Sequence, residues 1–302
     1  MAFPTETVYG LGGNALDREA SRKIYAVKGR PSDNPLIVHL TDWADVDGIA
    51  VATPQAKALY DAFCPGPLTM IMKKRPCLPD ETTGGRDTVA VRFPSHPMAR
   101  KLIELAGVPI AAPSANVSKH VSPTDPLHVY DDLKGRIPLI LDGGPCDVGI
   151  ESTIVDLTGE CPTVLRPGAI TKEQIAAVLG KARNYAGEVK EALAPGMKYK
   201  HYSPKVPCYL VKREDVADIF RKEEEKGLRV VAIVTEQTAQ ATLKGRAVIS
   251  LGSTPAEAQH NVYAALRAAE RYDLAIIEDL SDKYDYFAAM DRIKKATGGQ
   301  SL

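Results

Sequence analysis

The sequence predicts an α/β protein in two parts. Residues 1–184 read as an α+β, mixed twisted-sheet domain. A linker at 185–204 leads to a smaller, Rossmann-like parallel α/β domain over 205–302. Three observations carry this. Through residue 184, short apolar runs and helical periodicities mix without strict alternation, the pattern of a mixed sheet. The linker holds a breaker, Ala194-Pro195-Gly196-Met197, and a basic, aromatic stretch, Lys198-Tyr199-Lys200-His201-Tyr202-Ser203-Pro204. Beyond it strands and helices alternate, as in an open parallel sheet.

Taken in order, Met1-Ala2-Phe3 reads as the tail of a strand, with nothing before it to begin that strand. Ala20, Ile24 and Val27 recur at helical spacing behind Asp17, an N-cap. Leu36–Leu40 is a short buried strand. Residues 54–63 are a helix that Cys64-Pro65-Gly66-Pro67 stops. Leu68–Met72 and Thr88–Phe93 are strands, and His96–Ala106 is a helix ended by Gly107. Pro109–Ala112 is a strand and Thr124–Leu133 a helix; Leu139–Leu141, Ser152–Leu157 and Thr163–Arg166 are strands. Thr171 with Gln174 is a capping box, and Gly180 closes that helix. In the second part Cys208–Val211, Val230–Thr235, Ala247–Leu251 and Leu274–Ile277 are strands. Arg213–Lys226 is a charged amphipathic helix. Thr254 and Glu257 cap a long helix with Pro255 at its first position, and a last helix lies near 287–296.

Bulk properties narrow the function. The chain is 44% hydrophobic and 25% charged, the composition of an ordinary folded protein long enough for two domains. Lys+Arg and Asp+Glu are 38 each; residues 1–204 hold 23 of each sign and 205–302 hold 15 of each. Neither half is a basic nucleic-acid module by bulk charge, so any RNA contact must be local. Five scattered cysteines without CxxC spacing predict reduced thiols in the cytoplasm and argue against a zinc site. No signal peptide and no apolar run of about 18 residues is present, which argues against secretion and membrane contact.

Three segments read as one site: Pro4-Thr5-Glu6-Thr7-Val8-Tyr9-Gly10-Leu11-Gly12, Lys28-Gly29-Arg30-Pro31-Ser32-Asp33-Asn34-Pro35-Leu36, and Pro113-Ser114-Ala115-Asn116-Val117-Ser118. Each pairs turn formers with hydroxyls or cations suited to an anionic ligand. Each also has a plain structural reading. Lys28 and Arg30 suit a helix C-terminus, where cations meet the dipole. Arg92 and Arg166 end apolar strands, where arginine is often a surface residue. Ser114, Asn116, Ser118 and Ser122 suit a self-satisfied turn, as do Thr5 and Thr7. His39 in an apolar strand reads as core. What favours a site is Arg30 followed by an irregular loop with Asn34, since a guanidinium fork fits phosphate or carboxylate. No Ser-His-Asp order, GxGxxG, GxxxxGK[ST] or metal-type histidine spacing is present. The inventory of cations, amides and hydroxyls suits transfer at a phosphate, won by positioning and charge.

PTETVYGLG, KGRPSDNPL, DTVAVRFP, APSANVS and ESTIVDLT, in this order, resemble the YrdC-like family. Continuation through PGMKYKHYSP into an α/β tail is similar to its long, two-domain L-threonylcarbamoyladenylate synthases. The resemblance covers essentially the whole chain, by specific motifs in the first 204 residues and by pattern in the tail. It implies that L-threonine, bicarbonate (or CO₂) and ATP, with Mg²⁺ carried on the ATP phosphates, give threonylcarbamoyl-AMP and pyrophosphate. A downstream tRNA threonylcarbamoyl transferase then modifies the adenosine beside the anticodon. It places L-threonine near Thr7, His39, Arg92, Ala112 and Ser152, and ATP near Arg30, Asn34, Thr88, Ser114, Ser122, Arg166 and Tyr202. Lys28, Arg30, Ser114 and Asn116 form its KxR and SxN signature, implying catalytic phosphate contact or loop support. A linker carrying Tyr202 implies a lid that keeps water from a labile carbamate. Family members usually carry an additional stretch before PTET, so the resemblance leaves stability, part of the threonine-side wall and full activity open here. Two competing readings are a non-catalytic RNA-binding module, disfavoured by zero net charge and 6% aromatics, and a carbamoyl transferase of hydrogenase maturation, which needs zinc-binding cysteine pairs.

Overall fold

The structure, a computed structural model, describes residues 1–187, 194–195 and 202–302. It divides into two compact units, Met1–Ser118 with Pro123–Tyr199, and Lys119–Ser122 with Lys200–Leu302. Among the described residues, no helix is long and apolar enough to cross a membrane.

The strands of the first unit are β1 (Ala2–Phe3), β2 (Gly10–Leu11), β3 (Gly13–Asn14), β4 (Ile37–His39), β5 (Leu68–Lys73), β6 (Thr88–Arg92), β7 (Ile110–Ala111), β8 (Thr153–Asp156), β9 (Thr163–Arg166) and β10 (Arg183–Asn184). Its helices are α1 (Arg18–Lys28), α2 (Val46–Ile49), α3 (Pro54–Phe63), α4 (Asp80–Thr83), α5 (Pro97–Ala106), α6 (Pro126–Leu133) and α7 (Lys172–Leu179). Eight strands form one sheet in the order β10-β9-β8-β5-β6-β4-β7-β3. The sheet is mixed: β4 runs parallel to β6, which is antiparallel to β5, which is parallel to β8. Leu68-Thr69-Met70-Ile71-Met72 and Val89-Ala90-Val91-Arg92 are buried on both faces, which is why they read as continuous apolar runs rather than alternating ones. Leu68, Met70, Val91, Val38 and Phe93 are almost fully buried, each side chain contributing roughly 1.5–3 kcal/mol.

Caps fix the helices where the chain approaches the site. Asp17 accepts the amide of Glu19 at 2.8 Å to start α1, and Gly29, at φ 61°, ends it in the left-handed conformation that glycine adopts at least cost. The loop that follows is thereby set at a fixed point. Thr171 and Gln174 form the reciprocal capping box on α7, and Gly180 ends that helix.

The second unit carries β11 (Cys208–Val211), β12 (Val230–Val234), β13 (Val248–Ser250) and β14 (Leu274–Glu278), with α8 (Val216–Glu224), α9 (Glu236–Thr242), α10 (Pro255–Ala268) and α11 (Phe287–Thr297). All its strand pairs are parallel, in the order β11-β14-β12-β13. Val230–Val234 and Leu274–Glu278 are buried along their whole length, as a covered parallel sheet requires. The Thr254–Glu257 capping box and Pro255 open α10.

Several expected elements differ. Leu139–Leu141 is not a strand: Ile140 makes one isolated bridge to Ala2, whose amide and carbonyl are used up on Leu139 and Leu141. Residues 213–226 do not form one helix but a 3₁₀ turn at Arg213–Asp215 followed by α8. Thr124 stays outside α6, which Asp125 caps ahead of Pro126. The strand tail at Met1–Phe3 is paired, with Ala2 opposite Leu11 and Phe3 opposite Gly10. Short α2, α4 and α9 were missed, being too brief for a helical period to show.

Candidate active site

Three neighbouring strands place polar side chains in one row across the sheet. His39 on β4 is the Cα partner of Arg92 on β6, and Arg92 is the partner of Thr69 on β5. Cross-strand partners share a face, so all three stand on the same side. The PTET segment lies on that side. Phe3 meets the His39 ring edge-on, with centroids 6.1 Å apart, and Glu6 reaches Arg92, Oε1 to Nη2, at 2.8 Å.

The segment is held from both ends. Tyr9 donates its amide to Pro123 O and its hydroxyl to Gly144 O at 2.7 Å, and Glu6 O accepts the amide of Val148. Thr5 Oγ1 accepts the amides of Thr7 and Val8 and donates to Val8 O at 2.6 Å. For Thr5 the self-satisfied turn is therefore the outcome. Thr7 is fully buried, its hydroxyl 3.0 Å from that of Thr5.

Glu6 and Arg92 are both nearly buried, yet the pair is incomplete. Both Glu6 carboxylate oxygens and Arg92 Nε and Nη2 lack a partner in hydrogen-bond geometry. Burial opposes ionisation of Glu6; the Arg92 charge, with the amides of Glu6 and Ser95, outweighs it and holds the carboxyl below its usual range. Beside them burial, reinforced by Arg92, pushes the His39 imidazole down to about 3. His39 is thus neutral at neutral pH, with Nδ1 at 3.1 Å from Ile37 O and 3.3 Å from Ile110 O. Burial pushes the Cys64 and Cys146 thiols up to about 12, so neither is a thiolate nucleophile at neutral pH.

A second cluster forms where α1 ends. Lys28, read as a helix C-cap or, from the resemblance, as a phosphate contact or loop support, is buried and donates Nζ to Ser114 O and Asn116 O at 2.5 Å and to Asn116 Oδ1 at 3.2 Å. Ser118 returns its amide to Lys28 O, and Ser114 Oγ donates to Asn116 Oδ1 at 2.6 Å. Lys28 thus ties the KGR and PSANVS segments together. Burial, then the neighbouring Arg30 charge, pushes its ammonium well below the ordinary value. Arg30 donates Nε to Asn34 O at 3.2 Å and Nη2 to Pro35 O at 2.9 Å, so it shapes its own loop. Asn34 is buried with Oδ1 lacking a partner. That loop rests on Gly84, φ 62°, where a Cβ would stand 2.9 Å from Asp33 O.

A third cluster is centred on Arg166, buried at the end of β9. Its Nε donates to Ser152 O at 3.0 Å, Nη2 to Ser152 Oγ at 3.2 Å and Nη1 to Pro195 O at 3.3 Å. Ser152 Oγ also meets Thr69 Oγ1 at 2.7 Å, which joins this cluster to the sheet row. Ala112 joins the row from the other side through its amide to Ile37 O.

The first unit therefore brings together Thr7, His39, Arg92, Ala112 and Ser152 around the row, and Lys28, Arg30, Asn34, Ser114 and Asn116 around α1. Arg166 stands beside Ser152. Thr88, half-exposed, begins β6 on the same face as Arg92 but about 13 Å along the strand. Ser122 and Tyr202, both buried, belong to the second unit, where Tyr202 stacks near Tyr263 at 5.2 Å and Arg292 lies over its ring. The expected linker at 185–204 and the lid read from it lie largely outside the described residues. Two polar residues escaped notice in the sequence: Glu6 and Thr69. For Glu6 a signal was present, as the one charge in an otherwise uncharged PTETVYGLG stretch. Thr69 inside an apolar strand gave none.

This architecture defines a class: a mixed-sheet unit with buried cations under its loops, followed by a parallel α/β unit. A family model described as "Telomere recombination" matches residues 1–168, and one described as "Threonylcarbamoyl-AMP synthase, C-terminal domain" matches 170–298. The threonylcarbamoyl-AMP synthase of Pyrococcus abyssi is 42% identical, over 99% of this chain and 90% of its own length. That of Bacillus subtilis is 42% identical, over 100% of this chain and 90% of its length. The crystal structure of P. abyssi Sua5 complexed with L-threonine superposes with a TM-score of 0.93 at 41% identity, covering 100% of this chain and 91% of that one. The chain belongs to the Sua5/YrdC family of threonylcarbamoyl-AMP synthases, in its two-domain form.

Proposed function

We propose that this protein makes threonylcarbamoyl-AMP and pyrophosphate from L-threonine, bicarbonate or CO₂, and ATP, the first step of tRNA threonylcarbamoyladenosine modification. What carries the reading is full-length similarity to threonylcarbamoyl-AMP synthases, joined to a buried row that holds an incompletely bonded arginine. Arg92 suits the threonine carboxylate, because a buried guanidinium gains most from a charge-assisted, bidentate partner. His39, neutral, can exchange hydrogen bonds with the substrate without adding charge. Thr7, Ala112 and Ser152 complete the proposed threonine wall.

The chemistry has two stages. The threonine nitrogen adds to the carbon of CO₂ to give a carbamate. A carbamate oxygen then attacks the α-phosphorus of ATP; the bond to the bridging oxygen breaks and pyrophosphate leaves. The carbamate, ATP and pyrophosphate are all anionic, so buried cations matter although net charge is zero. Lys28, Arg30, Ser114 and Asn116 are proposed to shape the phosphate side, with Asn34, Thr88 and Arg166 as ATP contacts. Lys28 acts by fixing two loops, as its bonds to Ser114 and Asn116 indicate. Ser122 and Tyr202 are proposed as ATP contacts from the motif alone. Mg²⁺, a hard cation, is proposed to arrive on the ATP phosphates and to neutralise charge there. A downstream tRNA threonylcarbamoyl transferase is the proposed acceptor of the product, and any tRNA contact by this chain would be weak.

The test is pyrophosphate release from ATP with Mg²⁺ and bicarbonate, with and without L-threonine, and with serine as control. Release that depends on threonine is expected. Threonine-independent release would contradict the synthase reading; no release from folded protein, with salt-sensitive RNA binding instead, would move it to a non-catalytic RNA-binding module.

A further inference from the structure

Glu6 has no part in the reading above, and its surroundings are unusual. It is 4% exposed and Arg92 is likewise 4% exposed, so both charges are out of water. Glu6 Oε1 stands 2.8 Å from Arg92 Nη2, yet four polar atoms of the pair, both carboxylate oxygens with Nε and Nη2, have no hydrogen-bond partner. Buried ions are normally paired and fully hydrogen-bonded, because an unmet lone pair or proton bears the whole desolvation penalty. A pair left half-satisfied is a place where a ligand completes the bonding. The complementary ligand has its negative end toward a guanidinium and its positive end toward a carboxylate, a few ångströms apart. That is the head group of an α-amino-acid zwitterion.

Resting on the reading that Arg92 receives the substrate carboxylate, we propose that Glu6 receives the α-ammonium group of the amino acid and accepts the first of the two protons that it loses on becoming a carbamate. An N–H bond of the ammonium breaks, its electron pair stays on nitrogen, and the proton moves to a carboxylate oxygen of Glu6. The freed lone pair then forms the N–C bond to CO₂ as one C=O π pair moves onto oxygen, and the second proton leaves the nitrogen to water, giving the carbamate. The proton on Glu6 passes to solvent when the site opens. Substrate binding drives this step. Once the substrate carboxylate neutralises Arg92, the burial that opposes ionisation of Glu6 is no longer offset, and its basicity rises toward that of the amine.

The experiment is calorimetric titration of L-threonine, and of the analogue with hydroxyl in place of the α-ammonium (2,3-dihydroxybutanoate), into wild type, Glu6→Gln and Glu6→Asp. Wild type is expected to bind L-threonine and to discriminate against the hydroxy acid. Glu6→Gln should weaken L-threonine by about tenfold to a hundredfold, the worth of a charge-assisted hydrogen bond, and leave the hydroxy acid unchanged or tighter. Glu6→Asp, which keeps the charge in the pair, should retain the preference for the ammonium and serves if Glu6→Gln fails to fold. Wild-type affinity for L-threonine in Glu6→Gln, or equal loss of both ligands in the variants, overturns the inference while leaving the synthase reading intact. Wild type that binds no L-threonine overturns both.

Discussion

The two units each bury a glutamate, in opposite ways. Glu278 ends β14 and is 0% exposed; Thr235 donates its amide at 2.8 Å and its hydroxyl at 2.9 Å, and Thr238 Oγ1 donates at 2.7 Å. Both its oxygens are met by neutral donors, and Arg213 Nε stands at 3.6 Å from Oε1. Glu6 faces a guanidinium at 2.8 Å, and neither carboxylate oxygen meets its neighbours in good hydrogen-bond geometry. The first carboxylate is finished by the fold and ties α9 to the end of the sheet. The second is left for something else to finish. Burial alone therefore does not mark a functional acid; the state of its hydrogen bonds does.

The comparison breaks first at Arg92. Arg92→Ala removes the proposed carboxylate partner and strands Glu6 as an unpaired buried charge. Threonine affinity should fall by more than about a hundredfold in calorimetry. Stability should drop by about 3–5 kcal/mol in urea unfolding. Retained threonine binding would mean that the row is structural.

Lys28→Met deletes the donor shared by Ser114 O and Asn116 O. Leaving those carbonyls unmet should cost about 1–3 kcal/mol and raise amide exchange in residues 113–118. Exchange unchanged there would show that the loops stand without it.

Glu278→Ala sharpens the contrast from the other side. Thr235 and Thr238 lose their acceptor, and stability of the second unit should fall by about 1–3 kcal/mol. The threonine Kd should stay at its wild-type value. A weakened Kd would contradict the view that this acid is only structural.

The pH dependence separates Glu6 by sign. Its folded pKa is lowered, so its ionised form contributes stability above the unfolded pKa that is lost as pH falls through the folded one. Wild type should therefore lose stability relative to Glu6→Gln on acidification below the ordinary glutamate range, with a flat difference near neutrality, as urea unfolding across that range would read. The smallest effect is Thr254→Ala, which removes one half of the α10 capping box and should cost about 1 kcal/mol without touching the first unit.

Much of the fold was legible because local chemistry set it. Thr254-Pro255 with Glu257, Thr171 with Gln174, and Gly29 after Lys28 mark helix ends through bonds within a few residues, and the structure shows each. Buried strands announced themselves as apolar runs. Two-residue strands such as Gly13–Asn14 and Arg183–Asn184 exist only because a distant partner supplies their bonds, so nothing local encodes them. The site was legible as a set of segments and illegible as a geometry. That Lys28 turns inward to two carbonyls, or that Glu6 meets Arg92, depends on strands far apart in sequence. The sequence left Lys28 and Arg92 open between a plain surface or capping role and a place in the site; their burial is a property of the assembled sheet.

Threonylcarbamoyl-AMP synthesis is read most directly in the product itself. Mass spectrometry of the product formed from ¹³C-bicarbonate, L-threonine, ATP and Mg²⁺ tests it most directly. Threonylcarbamoyl-AMP carrying a single ¹³C atom is expected from wild type and Glu278→Ala, and is expected to be lost in Arg92→Ala. AMP or ADP without a ¹³C-labelled threonine adduct would contradict it.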